Sequence, residues 1–208
     1  MERERVTISI KKELLGKIDG IIDGVSVRNR SHAVEHLVTE ALNGTGAKNA
    51  VILVGGSGAL KLLPTVIESL RSLEKAGFVK VYIALGYLAD KIKERLGDGS
   101  EFGLEIEYVE EGEGTGGAIL PLKEVFLDTF LIINPNGKAA SDISKILEFH
   151  NTNGFLVTVA TNDLTEFKGV YVAEPEVFGF LPKGFSMLES DLFPKLIKEG
   201  KLAVYPLA

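Results

Sequence analysis

The sequence predicts an α/β protein in two unequal parts: a short strand–helix–helix module, then an α/β/α sandwich with a mostly parallel sheet. Three observations predict it. Residues 3–10 alternate polar and apolar side chains, and two helical apolar stripes follow at once. From Ala50 the pattern changes to apolar strand, glycine-bearing turn and amphipathic helix, repeated along the chain. The 208 residues, 45% hydrophobic and 25% charged, suit one large or two small globular domains.

In the first part, Val6, Ile8 and Ile10 share one face of the strand, with Arg5, Thr7 and Ser9 on the other. Leu14, Leu15, Ile18, Ile21 and Ile22 recur at helical spacing and predict a helix over Lys11–Asp23, closed by Gly24. Asn29 is the expected N-cap of a second helix, whose stripe is Ala33, Val34, Leu37, Val38, Ala41 and Leu42. Residues 1–43 are too few to bury a core, and a lone strand with one apolar face tends to pair with another edge. Pairing with a second copy is therefore expected, with residues 44–49 as linker.

Residues 50–208 read as strands over Ala50–Val54, Lys80–Leu85, Leu104–Val109, Phe130–Ile133 and Leu156–Ala160. Helices are expected over Pro64–Ala76, Asp90–Leu96 and Asp142–Asn151, the last capped by Asp142. Ligands of such sheets sit beyond the carboxyl ends of the strands, where glycine lets a phosphate approach the backbone. The loop Gly55-Gly56-Ser57-Gly58 follows the first of them. It is neither a Walker loop nor a dinucleotide fingerprint.

No apolar run reaches the roughly 20 residues of a membrane span, and the opening Met1–Arg5 lacks the apolar core of a secretory signal. With no cysteine, disulfides and thiolate metal sites are excluded, and a cytoplasmic location is expected. The net charge of −6 is unevenly spread: residues 1–48 carry eight basic and seven acidic side chains, so the acidic excess lies beyond them. Such a split permits a nucleic-acid contact by the first part.

The order, length and alternation of Arg3 to Asn43 resemble the ribbon-helix-helix family of DNA-binding repressors. The resemblance implies a homodimer whose two strands enter the major groove of a roughly palindromic double-stranded operator. Arg5, Thr7 and Ser9 would read bases, and the helix opening Asn29-Arg30-Ser31 would meet a phosphate. A dimerisation module that reads no DNA is the alternative.

The stretch Ala50-Val51-Ile52-Leu53-Val54-Gly55-Gly56-Ser57-Gly58 resembles the opening of the sugar-phosphate nucleotidyltransferases. Gly86–Ile92, Gly114–Ala118, Leu147–His150, Val170–Val177, Ser186–Pro194 and Gly200–Pro206 match in order. This implies a Rossmann-like sandwich that binds a nucleotide or nucleotide-sugar. Gly55, Gly56, Ser57, Gly58, Gly116 and Gly117 would act through backbone shape and N–H groups, with Asn136 beside them. Departures are equally specific. Ala59-Leu60 stands where the family has Thr-Arg, with Lys61 one position late, and the Pro-Lys segment has no counterpart. Asn134-Pro135-Asn136 replaces Asn-Gly-Asp, whose aspartate holds Mg²⁺, and the second carboxylate is missing between about Thr161 and Gly169. No catalytic residue and no metal ligand is assigned.

Other residues have plain readings. His32 and His36 lie four apart on a helix but have no third metal ligand, so a solvated face is expected. His150 reads as a helix-end residue, Glu107, Glu110, Glu111 and Glu113 as a solvated edge, and Asp98-Gly99 as a turn. The combined expectation is a cytoplasmic, DNA-binding transcriptional regulator, dimeric or tetrameric, with no membrane partner. Its larger domain senses a nucleotide or nucleotide-sugar or serves as a scaffold. A minimal nucleotidyltransferase dimerised by its first module is the competing class.

Overall fold

The computed structural model describes residues 6–24, 27–42, 49–55, 58–86, 89–110, 112–137, 142–161, 167 and 169–207. The chain divides into two compact units, residues 1–44 and 45–208.

The first unit contains two short helices, α1 (Lys12–Gly20) and α2 (Arg30–Leu42). Among the described residues Ile18, Val27 and Ala33 are buried, with Ile10, Ile21, Ile22, Val34 and Leu37 packed partly against them. The Asn29 side chain accepts from the His32 N–H at 3.0 Å and caps α2, as its position suggested. The expected helix over Lys11–Asp23 is shorter. Ile21 and Ile22 N–H groups turn to the carbonyls of Ile18 and Asp19, three residues back, which tightens the end before Gly24. The ribbon is not present: Val6–Ile10 forms no strand, and Arg5 lies outside the described residues. A strand exists through its hydrogen-bonded ladder, and the expected partner strand belongs to another chain.

The second unit is a seven-stranded sheet in the order β3-β2-β1-β4-β6-β5-β7. Its strands are β1 (Asn49–Val54), β2 (Lys80–Leu85), β3 (Glu105–Glu110), β4 (Phe130–Ile133), β5 (Val157–Thr161), β6 (Val170–Ala173) and β7 (Leu202–Pro206). Asn49 is thus a strand residue rather than linker. β6 runs antiparallel to both β4 and β5, and every other pairing is parallel. The sheet is therefore mostly parallel, as expected, and mixed through β6. Short connections after β5 return the chain as β6, between β4 and β5, where a parallel strand would need a longer crossover.

Both faces of the sheet are covered. On one face, Ala50, Ile52 and Val54 of β1 pack with Val66, Leu70 and Leu73 of α3 (Leu63–Lys75). Ile92 and Leu96 of α4 (Ala89–Leu96) and Ile146 and Leu147 of α6 (Ile143–Asn153) complete that layer. On the other, Val51 and Leu53 meet Ala118 and Ile119 of α5 (Gly114–Ile119) and Phe193 and Leu196 of α7 (Phe193–Lys198). A strand buried on both faces reads as an unbroken apolar run, which is why β1 stands out in the sequence. Asp142 caps α6 by accepting from the Lys145 N–H at 3.2 Å, and Gly154 ends it in the left-handed region. No described helix is long and apolar enough to cross a membrane.

Candidate functional site

The chain runs from β1 outward through β2 to β3, then returns to place β4 on the other side of β1. Such a reversal opens a crevice beyond the carboxyl ends of the two central strands. Gly55 follows β1 and Asn134 follows β4, and the strands pair in register from Asn49↔Phe130 to Ile52↔Ile133. Gly55, Gly58 and Asn136 therefore lie at neighbouring strand ends, whereas Gly56 and Ser57 lie outside the described residues. Gly58 opens a turn of 3-10 helix over Ala59–Leu62, which carries exposed Lys61.

Two groups of glycines differ physically. A side chain on Gly58 would meet nothing within 4 Å, and its φ is −92°, so nothing among the described residues demands glycine there. The loop 112–117 is the opposite case. A Cβ on Gly112 would sit 2.3 Å from the Gly117 carbonyl oxygen, and one on Gly116 would sit 2.5 Å from Ser186 Oγ. Gly114, at φ +81°, would bring a Cβ within 2.3 Å of the Ser186 carbonyl oxygen. That carbonyl accepts from the N–H groups of Gly116 (2.8 Å) and Gly117 (3.3 Å), and both residues are buried. The donors expected to face a phosphate are instead engaged with the segment Gly184–Met187. Close approach of backbone to backbone accounts for these glycines.

A polar cluster that sequence reasoning missed joins the loops. Glu189 projects from a single π-helical turn, Leu188–Leu192, an irregularity that recurs at functional sites. Its Oε2 accepts from Thr115 Oγ1 at 2.6 Å, and its Oε1 from Asn134 Nδ2 at 3.0 Å and Tyr171 Oη at 2.9 Å. Thr115 Oγ1 in turn accepts from the Leu188 N–H at 2.9 Å. Burial, with the adjacent Glu189 charge, pushes the Tyr171 phenol far above its ordinary range. The single Tyr171 hydroxyl hydrogen is shared between Glu189 Oε1 and the carbonyl of Phe167, whose φ of +47° lies in the left-handed region. Thr115, Tyr171 and Glu189 all fall in segments matched to the family, yet no spacing rule links residues so far apart.

Asn136 stands where the resemblance places a metal carboxylate. Both its N–H and its Nδ2 donate to Asn134 Oδ1, each at 3.1 Å. Mg²⁺ prefers carboxylate oxygens in near-octahedral geometry, and a carboxamide tied back to its neighbour is a poor substitute. No group of three or more potential ligands that could hold a metal occurs among the described residues. The side chains at this position do not fit the ion.

At the opposite end of the sheet, His150 lies in the last turn of α6, as its position suggested, and is also a buried bridge. Nε2 lies 2.9 Å from Glu174 Oε1 and Nδ1 lies 2.8 Å from Thr158 Oγ1, with the ring 1% exposed. A carboxylate only accepts, so Nε2 carries the hydrogen and, in the neutral ring, Nδ1 accepts from Thr158. Hydrogen bonds from His150 and Thr129 hold the Glu174 carboxyl below its usual range, against the opposing effect of burial. Glu107, Glu110 and Glu113 are exposed, as a solvated edge requires, with Glu107 also paired to Lys80 at 2.6 Å; Glu111 lies outside the described residues.

In the first unit, Thr7 and Ser9 are exposed. Asn29, Arg30 and Ser31 line a cavity of about 710 Å³ with Arg28, His32 and Glu35. Asn29 is engaged as the helix cap, and the Arg30 guanidinium grips Asp19 at 2.6 and 2.7 Å. His32 Nδ1 accepts from the Arg28 N–H at 3.3 Å. Of the predicted base-reading and phosphate-binding residues, Arg30 thus has an intramolecular carboxylate partner.

Known proteins bear on the larger unit. No protein-family profile matches the chain. It is 29% identical to a mannose-1-phosphate guanylyltransferase of Mycobacterium tuberculosis, over 76% of this chain and 57% of the relative. It is 25% identical to a UTP–glucose-1-phosphate uridylyltransferase of Synechocystis, over 66% of this chain and 48% of the relative. The chain thus spans about half the length of these curated relatives. A probable glucose-1-phosphate cytidylyltransferase of Bacillus subtilis matches at 26% identity over 75% of this chain and 87% of its own. Among solved structures, HddC from Yersinia pseudotuberculosis superposes with a TM-score of 0.62 at 20% identity, over 77% of this chain and 90% of its own. The same protein has been solved in complex with GMP-PN. The larger unit is a sugar-phosphate nucleotidyltransferase-like domain with a mixed, mostly parallel seven-stranded sheet.

Proposed function

We propose that the larger unit is a minimal sugar-phosphate nucleotidyltransferase-type domain that holds a nucleotide or nucleotide-sugar beyond the carboxyl ends of β1 and β4. The observation that carries this reading is the glycine turn at the reversal of strand order. Gly58 borders open space that no part of the described chain fills, unlike the glycines of loop 112–117. The curated relatives act on sugar 1-phosphates by name, which supports the ligand class. Thermal-shift measurement with the nucleoside triphosphates and nucleotide-sugars tests it. A ligand present at 100 times its Kd stabilises by about 2.7 kcal/mol and raises the melting temperature visibly. No shift with any of them removes the reading. Pyrophosphate release from a triphosphate and a sugar 1-phosphate with Mg²⁺ then assigns an enzyme, whereas binding without turnover assigns a sensor.

For residues 1–43 the proposal is pairing with a second copy. Val6 is 74% and Ile8 57% exposed, and Leu14 and Val38 are also exposed, in a unit whose described core is three buried side chains. A module of this size rarely holds alone. Ile8→Lys should shift the protein toward monomer in sedimentation, and an unchanged mass would remove the proposal. A regulator that reads an operator through Arg5, Thr7 and Ser9 rests on the residue pattern alone. Retention of a sequence-specific DNA shift in the wild type, and its loss with Thr7→Ala, is the result it requires.

A further inference from the structure

We propose that Glu189 is the positioning residue of the site at the carboxyl ends of β1 and β4, fastening three segments into one floor. This rests on the nucleotide-binding reading and deepens it. The three side chains that donate to the carboxylate are 74, 55 and 18 residues away in sequence. They sit on the glycine loop (Thr115), on the turn after β4 (Asn134) and on β6 (Tyr171). An ionised carboxylate is an acceptor with about four lone-pair positions; Thr115 and Asn134 each give it a hydrogen outright, and Tyr171 shares its one hydrogen between Glu189 and the Phe167 carbonyl. The links run on: Asn134 Oδ1 holds Asn136, and Tyr171 Oη reaches the left-handed Phe167 backbone. Thr115 completes a closed circuit, since its single hydroxyl hydrogen goes to Glu189 while its oxygen receives the Leu188 N–H. The π-helical turn sets where Glu189 projects. Without the carboxylate, Thr115 and Asn134 lose their common acceptor, and the glycine loop and the β4 turn lose the side-chain tie between them.

Glu189→Gln keeps the size of the side chain but replaces one accepting oxygen with an N–H₂ group. In the ligand-free protein, amide hydrogen exchange at residues 112–117 and 134–137 should rise about tenfold, the scale of one hydrogen bond to a charged acceptor. Exchange in α6 and β5 should stay at the wild-type rate. GTP affinity, measured well below the melting temperature, should fall about tenfold as well. Thr115→Val should reproduce the loss and Thr115→Ser should restore it. The Glu189→Gln/Thr115→Val pair should bind no more weakly than either single variant, because both break the same link. Unchanged exchange in the two loops overturns the proposal, as does a uniform rise that includes α6 and β5, or additive losses in affinity. The exchange measurement needs no ligand. Failure of wild-type protein to bind GTP, with the exchange pattern intact, therefore counts against the nucleotide reading and leaves the Glu189 link standing.

Discussion

Alanine at Gly114 and alanine at Gly58 should have opposite effects on the free protein, although both glycines belong to loops matched to one family. At Gly114 the backbone is at φ +81°, where an L-residue costs about 1–2 kcal/mol. The new Cβ would lie 2.3 Å from the Ser186 carbonyl oxygen and 3.1 Å from Met187 Sδ. That carbonyl must then retreat from the Gly116 and Gly117 N–H groups, weakening hydrogen bonds worth about 0.5–1.5 kcal/mol each. The sum is about 2–5 kcal/mol, or roughly 4–20 °C in melting temperature for a domain of this size. At Gly58, φ is −92° and no atom lies within 4 Å of the added methyl. Alanine there should be stabilising by about 0.4–1 kcal/mol, through the smaller freedom of the unfolded chain. Calorimetric melting of the two ligand-free variants reads both numbers, and repetition with GTP should show the ligand-induced shift reduced in Gly58→Ala. Equal melting of Gly114→Ala and wild type, or destabilisation of Gly58→Ala by more than about 1 kcal/mol, would refute the division of these glycines into packed and open.

Three further outcomes follow from the buried polar groups. His150→Leu leaves the buried Thr158 Oγ1 without its ring partner and removes one of two hydrogen bonds to the Glu174 carboxylate, and chemical denaturation should show a loss of about 2–4 kcal/mol. The folded pKa of Glu174 is depressed, so its contribution to stability is present above the unfolded value and is lost as pH falls through the folded one. The stability gap between wild type and Glu174→Gln should accordingly be full at pH 6 and narrow below about pH 4, within the ordinary carboxylate range. A gap constant down to pH 3 would contradict the assignment. Tyr171→Phe removes one hydroxyl from the Glu189 cluster and should cost about 1 kcal/mol in a denaturant titration, with the sheet retained by circular dichroism.

Legibility in the sequence tracked how local the controlling interaction was. Asn29 and Asp142 were readable as caps because each accepts from an N–H three residues ahead. β1 was readable because burial on both faces leaves an unbroken apolar run at Ala50–Val54. β6 and β7 passed unnoticed as strands, though their residues were matched to a family, since Val170–Ala173 is four residues long and its pairing is antiparallel. His150 was read correctly as a helix-end residue, but its bridging role was not legible because its partners, Thr158 and Glu174, come from two other segments. At Gly116 and Gly117 the sequence showed that glycine was needed but not for what. The reason lies about seventy residues on, where Ser186 Oγ would meet a Cβ on Gly116 at 2.5 Å and the Gly184 carbonyl oxygen one on Gly117 at 3.1 Å.

By itself, then, the sequence determined the elements whose signals are periodic or terminal: the two helices of the first unit, the central apolar strand, the glycine turn after it, and the division into two parts. Only the tertiary structure decided the strand order, the reversed β6, and which polar side chains meet at the carboxyl ends of the sheet. Side-chain periodicity reports which face of an element is buried. It carries no information about which distant segment does the burying, and a carboxylate such as Glu189 acquires its role only when Thr115, Asn134 and Tyr171 arrive around it.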